Sequence, residues 1–454
     1  MINFNNSLFS SVIAEDFTKH NIQKIAQALS NIIKKAKSTK PVIIAQDNRF
    51  LSNLAKIWVI DTLSTNQIKT LVFSTPTSTP VIKYTMDKDN IDYALIITGG
   101  DNPSEYNGIR ILEKSTPSII PTVEKLANKN IKIKTKRSNK VDYSSLSTEI
   151  TCEKEYIKNI IKFIQKDSKE NKLRALISTT NIDTQNNFTQ LAKHLKIKKL
   201  DFSTAVEDIE QLSRETVRGK YNIGIYINND STLISIVDEK GIVYNYNTIA
   251  PIIYYYINKY CSLEGDIVKT RNTSVIIDSL AQYFNSTCHE VECNNLTLKQ
   301  KMIDTNSILA VDIQNGILLR DYALTSDAIL TTSLLLDAMH KTNKSISRIM
   351  QDIRKLTGYI STIFNKTYTI QDKTLLLKQL SKKTPNFSYK PINIVEDNNI
   401  IKYEFEDKSS IILNISPSIP LATLTLEFPT EIECERNIKA MDNYLKALNN
   451  VKKK

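Results

Sequence analysis

Glycine is scarce in this chain, with 9 residues among 454 where soluble proteins have roughly 7%. Loops that wrap phosphate groups rely on glycine because it takes positive φ angles without strain and allows the backbone to approach a ligand closely. The chain therefore has room for few loops of that kind.

Cysteine is also scarce, and its spacing argues against both a disulfide framework and a zinc site. The five cysteines are an odd number and lie mostly far apart, which is typical of a reducing compartment. Cys288, His289 and Cys293 form a cluster without the spacing of a zinc motif. No apolar run approaches the ~20 residues needed to span a bilayer, and no signal-peptide core is present. We therefore expect a cytoplasmic protein with no membrane partner.

The net charge of +12 comes from 60 basic and 48 acidic residues scattered along the chain. No basic stripe interleaved with aromatic residues occurs, which argues against nucleic acid as a partner, although the charge alone leaves an anionic partner open. Apolar residues make up 41% and charged residues 24%, as in soluble globular proteins. The length predicts two to four domains.

Strands alternate with helices through most of the chain, which predicts an α/β fold. A helix is predicted from Thr18 to Lys37, with apolar residues at helical spacing behind a Thr18 cap. The predicted strands of three successive units lie at 41–45, 70–73, 92–97, 175–178, 222–227, 233–237, 274–277 and 309–311. A helix at 328–339 completes the third unit, and antiparallel strands followed by a helix form the tail.

We expect four domains from this order of elements. Three doubly wound α/β domains are predicted at 1–146, 147–252 and 253–367, and an α+β domain with an antiparallel sheet is predicted at 368–454. Ligands of doubly wound sheets bind beyond the carboxyl ends of the strands, so a site is expected in the loop that starts at Thr98.

That loop reads Thr98-Gly-Gly-Asp-Asn-Pro-Ser-Glu-Tyr-Asn-Gly108. It resembles the T-G-S-H-N-P-P-E-Y-N-G motif of the α-D-phosphohexomutases, specifically the phosphomannomutase/phosphoglucomutase group, at eight of eleven positions. The resemblance implies four domains around a central cleft. It also implies a phosphoserine in the first domain, Mg²⁺ in the second, a sugar-binding loop in the third and a phosphate-binding loop in the fourth.

The residues that would carry out phosphoryl transfer differ in this chain. The position of the phosphoserine is Gly100, which has no oxygen to phosphorylate, and the neighbouring histidine is Asp101. Asp101 either forms an acyl phosphate in place of the serine or is a turn residue that caps the following backbone. No catalytic residue of the family is intact in this loop.

The loop that resembles the family's metal site has also lost charge. Its D-G-D-G-D-R motif aligns with residues 228–233. Asn228 and Thr232 replace two of the three aspartates, and Asp230 keeps the third. Mg²⁺ prefers charged oxygen ligands, so we expect weak binding or none.

Four polar residues remain from the family's sugar and phosphate loops. Lys299, Asp312 and Asp327 match charged positions of the family, and they either hold a sugar or are surface charges left from ancestry. Ser418 is what remains of the R-A-S-N-T-T-P phosphate loop. We expect Gly100, Asp230, Asp312 and Ser418 to face one cleft.

These losses predict a catalytically inactive phosphohexomutase-like protein that serves as a binding or scaffold module, because each motif lacks the atoms for its step. The alternative is an active phosphomannomutase/phosphoglucomutase-type phosphotransferase of carbohydrate metabolism. It would use Mg²⁺, with Asp101 or a free bisphosphate supplying the phosphoryl group. The partner is expected to be a hexose phosphate or an unidentified protein.

Overall fold

The computed structural model describes residues 1–5, 7–114, 118–129, 131–135, 146–164, 171–203, 208–322, 324–359, 361–370, 372–380, 382–397, 399–415 and 421–451. For residues 448–451 it describes the backbone only. The chain divides into two compact units. One comprises Met1–Tyr244 with Asp321–Ser345, and the other comprises Asn245–Arg320 with Ile346–Lys454. Among the described residues, no helix is both long and apolar enough to cross a membrane.

The first unit begins with a six-stranded sheet of order β1-β5-β4-β2-β3-β6. Its strands are β1 (Leu8–Val12), β2 (Val42–Gln46), β3 (Thr70–Phe73), β4 (Tyr93–Ile97), β5 (Tyr106–Glu113) and β6 (Ser147–Ile150). Its helices are α1 (Lys19–Lys35), α2 (Ser52–Thr65), α3 (Thr79–Lys88) and α4 (Ile120–Ala127). Strands β4, β2, β3 and β6 are parallel, whereas β5 is antiparallel to both of its neighbours. The carboxyl ends of β2 and β4 therefore lie side by side.

The helix predicted at the N-terminus is confirmed as α1. The Thr18 hydroxyl accepts a hydrogen bond from the Asn21 N–H at 3.3 Å, as an N-cap does. Ile22, Ile25 and Leu29 recur at helical spacing and are fully buried in the core of the first sheet. Burial of side chains of this size stabilises the fold by about 1.5–3 kcal/mol each.

A second mixed sheet, of order β11-β10-β9-β7-β8, completes the strands of the first unit. These strands are β7 (Asn171–Ser178), β8 (Ile197–Phe202), β9 (Ile223–Ile227), β10 (Ile234–Asp238) and β11 (Val243–Tyr244). The helices in this part of the chain are α5 (Glu153–Ile161), α6 (Ile182–His194) and α7 (Ile209–Arg218). The turn between β9 and β10 holds residues 228–233.

The second unit opens with a four-stranded sheet of order β13-β12-β14-β15, in which β13, β12 and β14 are parallel. Its elements are α8 (Tyr246–Tyr260), β12 (Ile267–Thr270), α9 (Ile276–Tyr283), β13 (Cys288–Val291), α10 (Asn295–Asp304), β14 (Leu309–Asp312) and β15 (Gly316–Leu319). The strand predicted at 274–277 is wrong, because α9 begins at Ile276. Leu280 and Ala281 continue its buried face at helical spacing.

The helix α11 (Ala328–Thr342) returns to the first unit. It packs against α6, β7 and β10 of the second sheet, and the Ala328 N–H donates to the Ser231 carbonyl at 3.0 Å. The sequence order suggested that this helix belongs with the third group of strands, so its packing corrects that expectation. The predicted domain edge near 252 falls inside α8.

The remainder of the second unit is an antiparallel sheet of order β16-β20-β19-β18-β17. Its elements follow as α12 (Ile346–Thr357), β16 (Thr362–Thr369), α13 (Lys373–Leu380), β17 (Asn393–Asp397), β18 (Ile400–Glu404), β19 (Ser410–Ile415), β20 (Leu421–Phe428) and α14 (Glu431–Val451). The predicted fold class, mixed α/β sheets followed by an antiparallel sheet with helices, is confirmed. The edge predicted near 367 falls inside β16, and the division into four domains stays a prediction.

A buried carboxyl group joins the two sheets of the second unit. Glu427 on β20 is 2% exposed, and it accepts hydrogen bonds from the Ser274 hydroxyl at 2.7 Å and from the Val275 N–H at 3.4 Å. Burial raises the pKa of Glu427 to about 7, although the Ser274 hydrogen bond and the Lys269 ammonium oppose that effect. The carboxyl thus supplies an acceptor at the start of α9.

We expect Glu427→Gln to change how stability depends on pH. The unfolded glutamate, with its ordinary pKa near 4.5, binds fewer protons than the folded one between pH 4.5 and 7. Wild-type stability therefore falls as pH rises through that range, by about 3 kcal/mol at most. Glutamine keeps an acceptor for Ser274 and has no such loss.

Denaturant unfolding at pH 5, 6, 7 and 8 measures this difference. The stability of Glu427→Gln relative to wild type should increase from pH 5 to pH 7 and change little between pH 7 and 8, whereas Glu435→Gln on an exposed part of α14 should follow the wild-type curve. Parallel curves for wild type and Glu427→Gln would contradict the expected ionisation.

Candidate active site

The loop between β4 and β5 is a tight polar turn built around Gly100. The Gly100 N–H donates to the Thr98 hydroxyl at 2.9 Å, and the Asn102 N–H donates to the Gly99 carbonyl at 3.3 Å. Gly100 has a φ of 62°, a left-handed conformation that glycine adopts without strain. The residue in the phosphoserine position is therefore held in a backbone conformation that disfavours side chains.

Arg49 lies three residues beyond the end of β2, and its side chain holds this loop in place by hydrogen bonds. One guanidinium nitrogen donates to the carbonyls of Pro103 at 2.7 Å and Tyr106 at 3.1 Å. The other donates to the carbonyls of Gly100 at 2.7 Å and Asn102 at 2.6 Å. A planar guanidinium with donors in fixed directions can serve four acceptors at once. The loop shape is thus fixed by a charged group from the segment that follows the neighbouring parallel strand.

Two further glycines of the motif are required by close backbone contacts. A Cβ at Gly108 would lie 1.9 Å from the Phe9 carbonyl oxygen on β1, and a Cβ at Gly99 would lie 2.8 Å from the Tyr106 carbonyl oxygen. Ser10 pairs with Gly108 in the β1–β5 register, and its hydroxyl accepts from the Asn102 amide at 3.1 Å. The surviving motif residues therefore have a structural reason to persist.

The turn at residues 228–233 is organised by the Asn228 side chain. Its carbonyl oxygen accepts from the N–H groups of Thr232 at 2.8 Å and Leu233 at 2.9 Å. Its amide nitrogen donates to the Thr232 hydroxyl at 3.2 Å. Asn228 and Asp230 are 6% and 7% exposed. Asn228 and Thr232, which replace the family's outer aspartates, are therefore hydrogen bonded to each other, and Asn228 is also bonded to the backbone of the turn.

The two loops meet within the first unit. The Asp101 carboxylate accepts from the Asn229 N–H and from the Asn228 amide, each at 3.2 Å, and the Asn229 amide donates to the Gly100 carbonyl at 3.4 Å. Arg110 on β5 forms an ion pair of 2.6 Å with Asp230. Gly100 and Asp230 therefore lie together, as the resemblance implies.

The electrostatics of this junction are dominated by two acids and one arginine. Part of the Asp101 side chain is open to solvent, but protein surrounds the rest. This desolvation, followed by the neighbouring Asp230 carboxylate, raises the pKa of Asp101 against the lowering effects of Asn228 and Arg110. The hydrogen bonds that Asp101 accepts come from the 228–233 turn. Both of its predicted roles, acyl phosphate formation and capping of the following backbone, stay predictions.

As arranged, the 228–233 turn offers Mg²⁺ one carboxylate that is already paired with a guanidinium. The oxygens of Asn228 and Thr232 are used in hydrogen bonds within the turn. Across the described part of the chain, no group of three or more His, Cys, Asp or Glu residues is placed to hold a metal ion. Mg²⁺ prefers several oxygen ligands, usually with one or two carboxylates.

Asp327 also belongs to the first unit, but it is neither a surface charge nor open to a ligand. It is 1% exposed and caps α11, accepting the N–H groups of Ile329 at 2.8 Å and Leu330 at 3.0 Å. It also accepts the hydroxyls of Tyr156, at 2.8 Å, and Tyr322. Burial raises the pKa of Asp327, although the tyrosine hydrogen bonds oppose that effect. Asp327, which matches a charged position of the family, therefore stabilises the fold.

The remaining candidates lie in the second unit or outside the described residues. Asp312 ends β14, is 1% exposed and holds the turn to β15 by accepting from the Gln314 N–H at 2.7 Å and the Asn315 amide at 3.1 Å. It is therefore not a surface charge either. Lys299 lies in α10 and is partly exposed. Ser418 lies in 416–420, outside the described residues, and a common cleft for all four positions stays a prediction.

Sequence reasoning missed two arginines at this site. Arg49 follows β2, whose carboxyl end is adjacent to that of β4, so the parallel pairing could have pointed to it. Arg110 stands two residues after the motif, where a strand alternation places its side chain on the same face as Gly108.

Comparisons with known proteins agree with this architecture and motif. The family models for the phosphoglucomutase/phosphomannomutase alpha/beta/alpha domains I and III match residues 3–138 and 245–356. A probable phosphoglucosamine mutase of Pyrococcus horikoshii is 22% identical over 468 residues, covering 98% of each chain.

Solved structures share the fold at low identity. A putative phosphomannomutase from Thermus thermophilus has a TM-score of 0.77 at 13% identity, with 98% of this chain and 99% of that chain covered. An Aspergillus fumigatus N-acetylphosphoglucosamine mutase, solved with GlcNAc-6P and magnesium, has a TM-score of 0.54 at 8% identity, with 97% and 95% covered. The fold is thus that of the phosphohexomutases. The chain belongs to the α-D-phosphohexomutase superfamily, in the phosphoglucomutase/phosphomannomutase group.

Proposed function

We propose that this chain is a phosphohexomutase-fold protein that does not carry out phosphoserine-dependent transfer and that acts as a binding module for a hexose phosphate or a protein partner. The observation that carries the proposal is Gly100, which stands in the position of the phosphorylated serine and takes a φ of 62°. A residue without a side-chain oxygen cannot accept or return a phosphoryl group.

The surroundings of Gly100 support the same proposal. A Cβ at this position would lie 2.8 Å from a Leu8 methyl carbon and 3.2 Å from an Arg110 nitrogen. The nearest acid, Asp101, is hydrogen bonded to the neighbouring loop through both of its carboxylate oxygens. Formation of an acyl phosphate on Asp101 would require those contacts to break first.

An active mutase is the second candidate, and the relatives favour it. The Pyrococcus horikoshii protein carries the name of a probable phosphoglucosamine mutase and matches this chain over 98% of both lengths. In that case a free sugar bisphosphate or Asp101 would supply the phosphoryl group to a hexose phosphate, in the isomerase chemistry of carbohydrate metabolism.

We expect neither wild type nor Gly100→Ser to interconvert hexose 1- and 6-phosphates. The serine variant would have a strained backbone, and its hydroxyl would meet the Arg110–Asp230 ion pair. A coupled assay with the 1-phosphates of glucose, mannose and glucosamine, supplied with Mg²⁺ and a hexose bisphosphate, measures turnover. An intact mutase of the family is the positive control.

Intact-mass measurement after incubation with the bisphosphate separates the two candidates further. An unchanged mass together with absent turnover supports the binding module. A phosphate that maps to Asp101 or Ser104, or turnover that disappears in Asp101→Asn, would establish the mutase instead.

A further inference from the structure

The Arg110–Asp230 ion pair occupies a specific place in the junction of the two loops. Asp230 is the one carboxylate left in the turn that aligns with the family's metal motif, and Gly100 stands where the phosphoserine would be. A Cβ on Gly100 would lie 3.2 Å from Arg110 Nη2 and 3.9 Å from Asp230 Oδ2. The guanidinium therefore lies close to both the phosphoserine position and the remaining carboxylate of the metal motif.

The pair is largely shielded from water, since the side chains of Arg110 and Asp230 are 19% and 7% exposed. A charge pair with little solvent screening interacts more strongly than one on the surface. Asp101 adds a second carboxylate. Burial and the Asp230 carboxylate raise its pKa, whereas the Asn228 hydrogen bond and the Arg110 guanidinium lower it. One arginine thus balances two acids that approach from different loops.

The other groups in the turn do not fit Mg²⁺. The Asn228 carbonyl oxygen accepts two backbone N–H groups, and its amide nitrogen, rather than an oxygen, faces Asp101. The ligand set lacks the charged oxygens that Mg²⁺ requires. The positively charged guanidinium of Arg110, rather than a metal ion, neutralises the nearby acids.

We propose that the guanidinium of Arg110 takes the place of the divalent cation in this chain and joins the Gly100 loop to the 228–233 turn without a metal. Arginine is always protonated, so this junction is independent of cation supply. The consequence is a latent metal site. Removal of the guanidinium leaves Asp101 and Asp230 as two unbalanced carboxylates that attract a divalent cation.

Titration with Mn²⁺, followed by calorimetry and by the unfolding midpoint, tests the proposal without any measurement of activity. Wild type should show no saturable binding that depends on Asp230. Arg110→Met, which keeps the apolar length of the side chain, should bind Mn²⁺ at least tenfold more tightly and should unfold later as Mn²⁺ is added. Arg110→Met combined with Asp230→Asn should lose that gain.

Two results would overturn the proposal. The first is saturable Mn²⁺ binding to wild type that Asp230→Asn abolishes, because the cation would then coexist with Arg110. The second is a folded Arg110→Met variant that gains no affinity. If Arg110→Met does not fold, Arg110→Gln provides the same loss of charge with a polar side chain, and the wild-type titration decides on its own.

The test is independent of the proposed function. A mutase that works through a free bisphosphate could still have the arginine in the cation's place, and an inactive module could still bind a metal. Mn²⁺ affinity and sugar phosphate turnover therefore fail or succeed separately.

Discussion

Replacement of Arg49 by alanine is expected to lower the free energy of unfolding of the first unit by roughly 3–5 kcal/mol. The side chain is 12% exposed and donates to four backbone carbonyls of the β4–β5 loop. Hydrogen bonds to a charged donor contribute about 1.5–3 kcal/mol each, and they are not additive when one group makes them all. Alanine leaves the carbonyls without that donor and the loop without its fastening.

Arg214→Ala is the matched control for this prediction. Arg214 is 67% exposed, and its contacts to Asp208 and Glu210 are both 3.8 Å long. A surface ion pair of this kind contributes about 0–1 kcal/mol. Denaturant unfolding of both variants gives the comparison, and amide hydrogen exchange in residues 98–108 locates the effect.

Arg49→Lys separates charge from shape. Lysine keeps the positive charge, but its compact ammonium cannot span the carbonyls of Gly100, Asn102, Pro103 and Tyr106. We expect it to recover less than half of the loss. Full recovery by lysine would show that the charge alone holds the loop.

The elements of the fold could be predicted where local pattern determines structure. The strand predicted at 70–73 is β3 with the same bounds, and Thr18 caps α1 as predicted. At 274–277 the pattern was ambiguous, because a run of three apolar residues suits a buried strand or the start of a helix. The decision there depends on Leu280 and Ala281 further along, and on Glu427, which lies some 150 residues away.

Packing between distant segments could not be predicted in the same way. The helix α11 follows the third sheet in the sequence but packs on the second, and no local pattern records that choice. At the site, alignment with a motif reveals which residues have been lost, such as the serine at Gly100. It does not reveal what fills the space, which here depends on contacts of Arg49 and Arg110 with partners 50 to 120 residues away.

The role of Asp327 also depends on a residue that is distant in the sequence, Tyr156, and we expect replacement of Asp327 to have a large effect on stability. Asp327→Ala should lower the free energy of unfolding of the first unit by roughly 4 kcal/mol. Loss of the cap of α11 costs about 1 kcal/mol. The hydroxyls of Tyr156, which is fully buried, and Tyr322 would also lose their acceptor, at about 1–3 kcal/mol each.

Asp208→Ala is the control that isolates the cap. Asp208 accepts the N–H groups of Glu210 and Gln211 at the start of α7, each at 2.9 Å, with 48% of its side chain exposed. Its loss should cost about 1 kcal/mol, the contribution of a cap alone. The difference between the two alanine variants then measures what the buried tyrosines require.

A second comparison tests that assignment directly. In a Tyr156→Phe, Tyr322→Phe background no hydroxyl is left without an acceptor, so Asp327→Ala should cost only slightly more than Asp208→Ala. If the cost stays near 4 kcal/mol in that background, the tyrosine hydrogen bonds are not the cause. Asp327 would then act through the electrostatics of the helix terminus, which Asp327→Asn would reveal by losing a similar amount, because it keeps an acceptor but no charge.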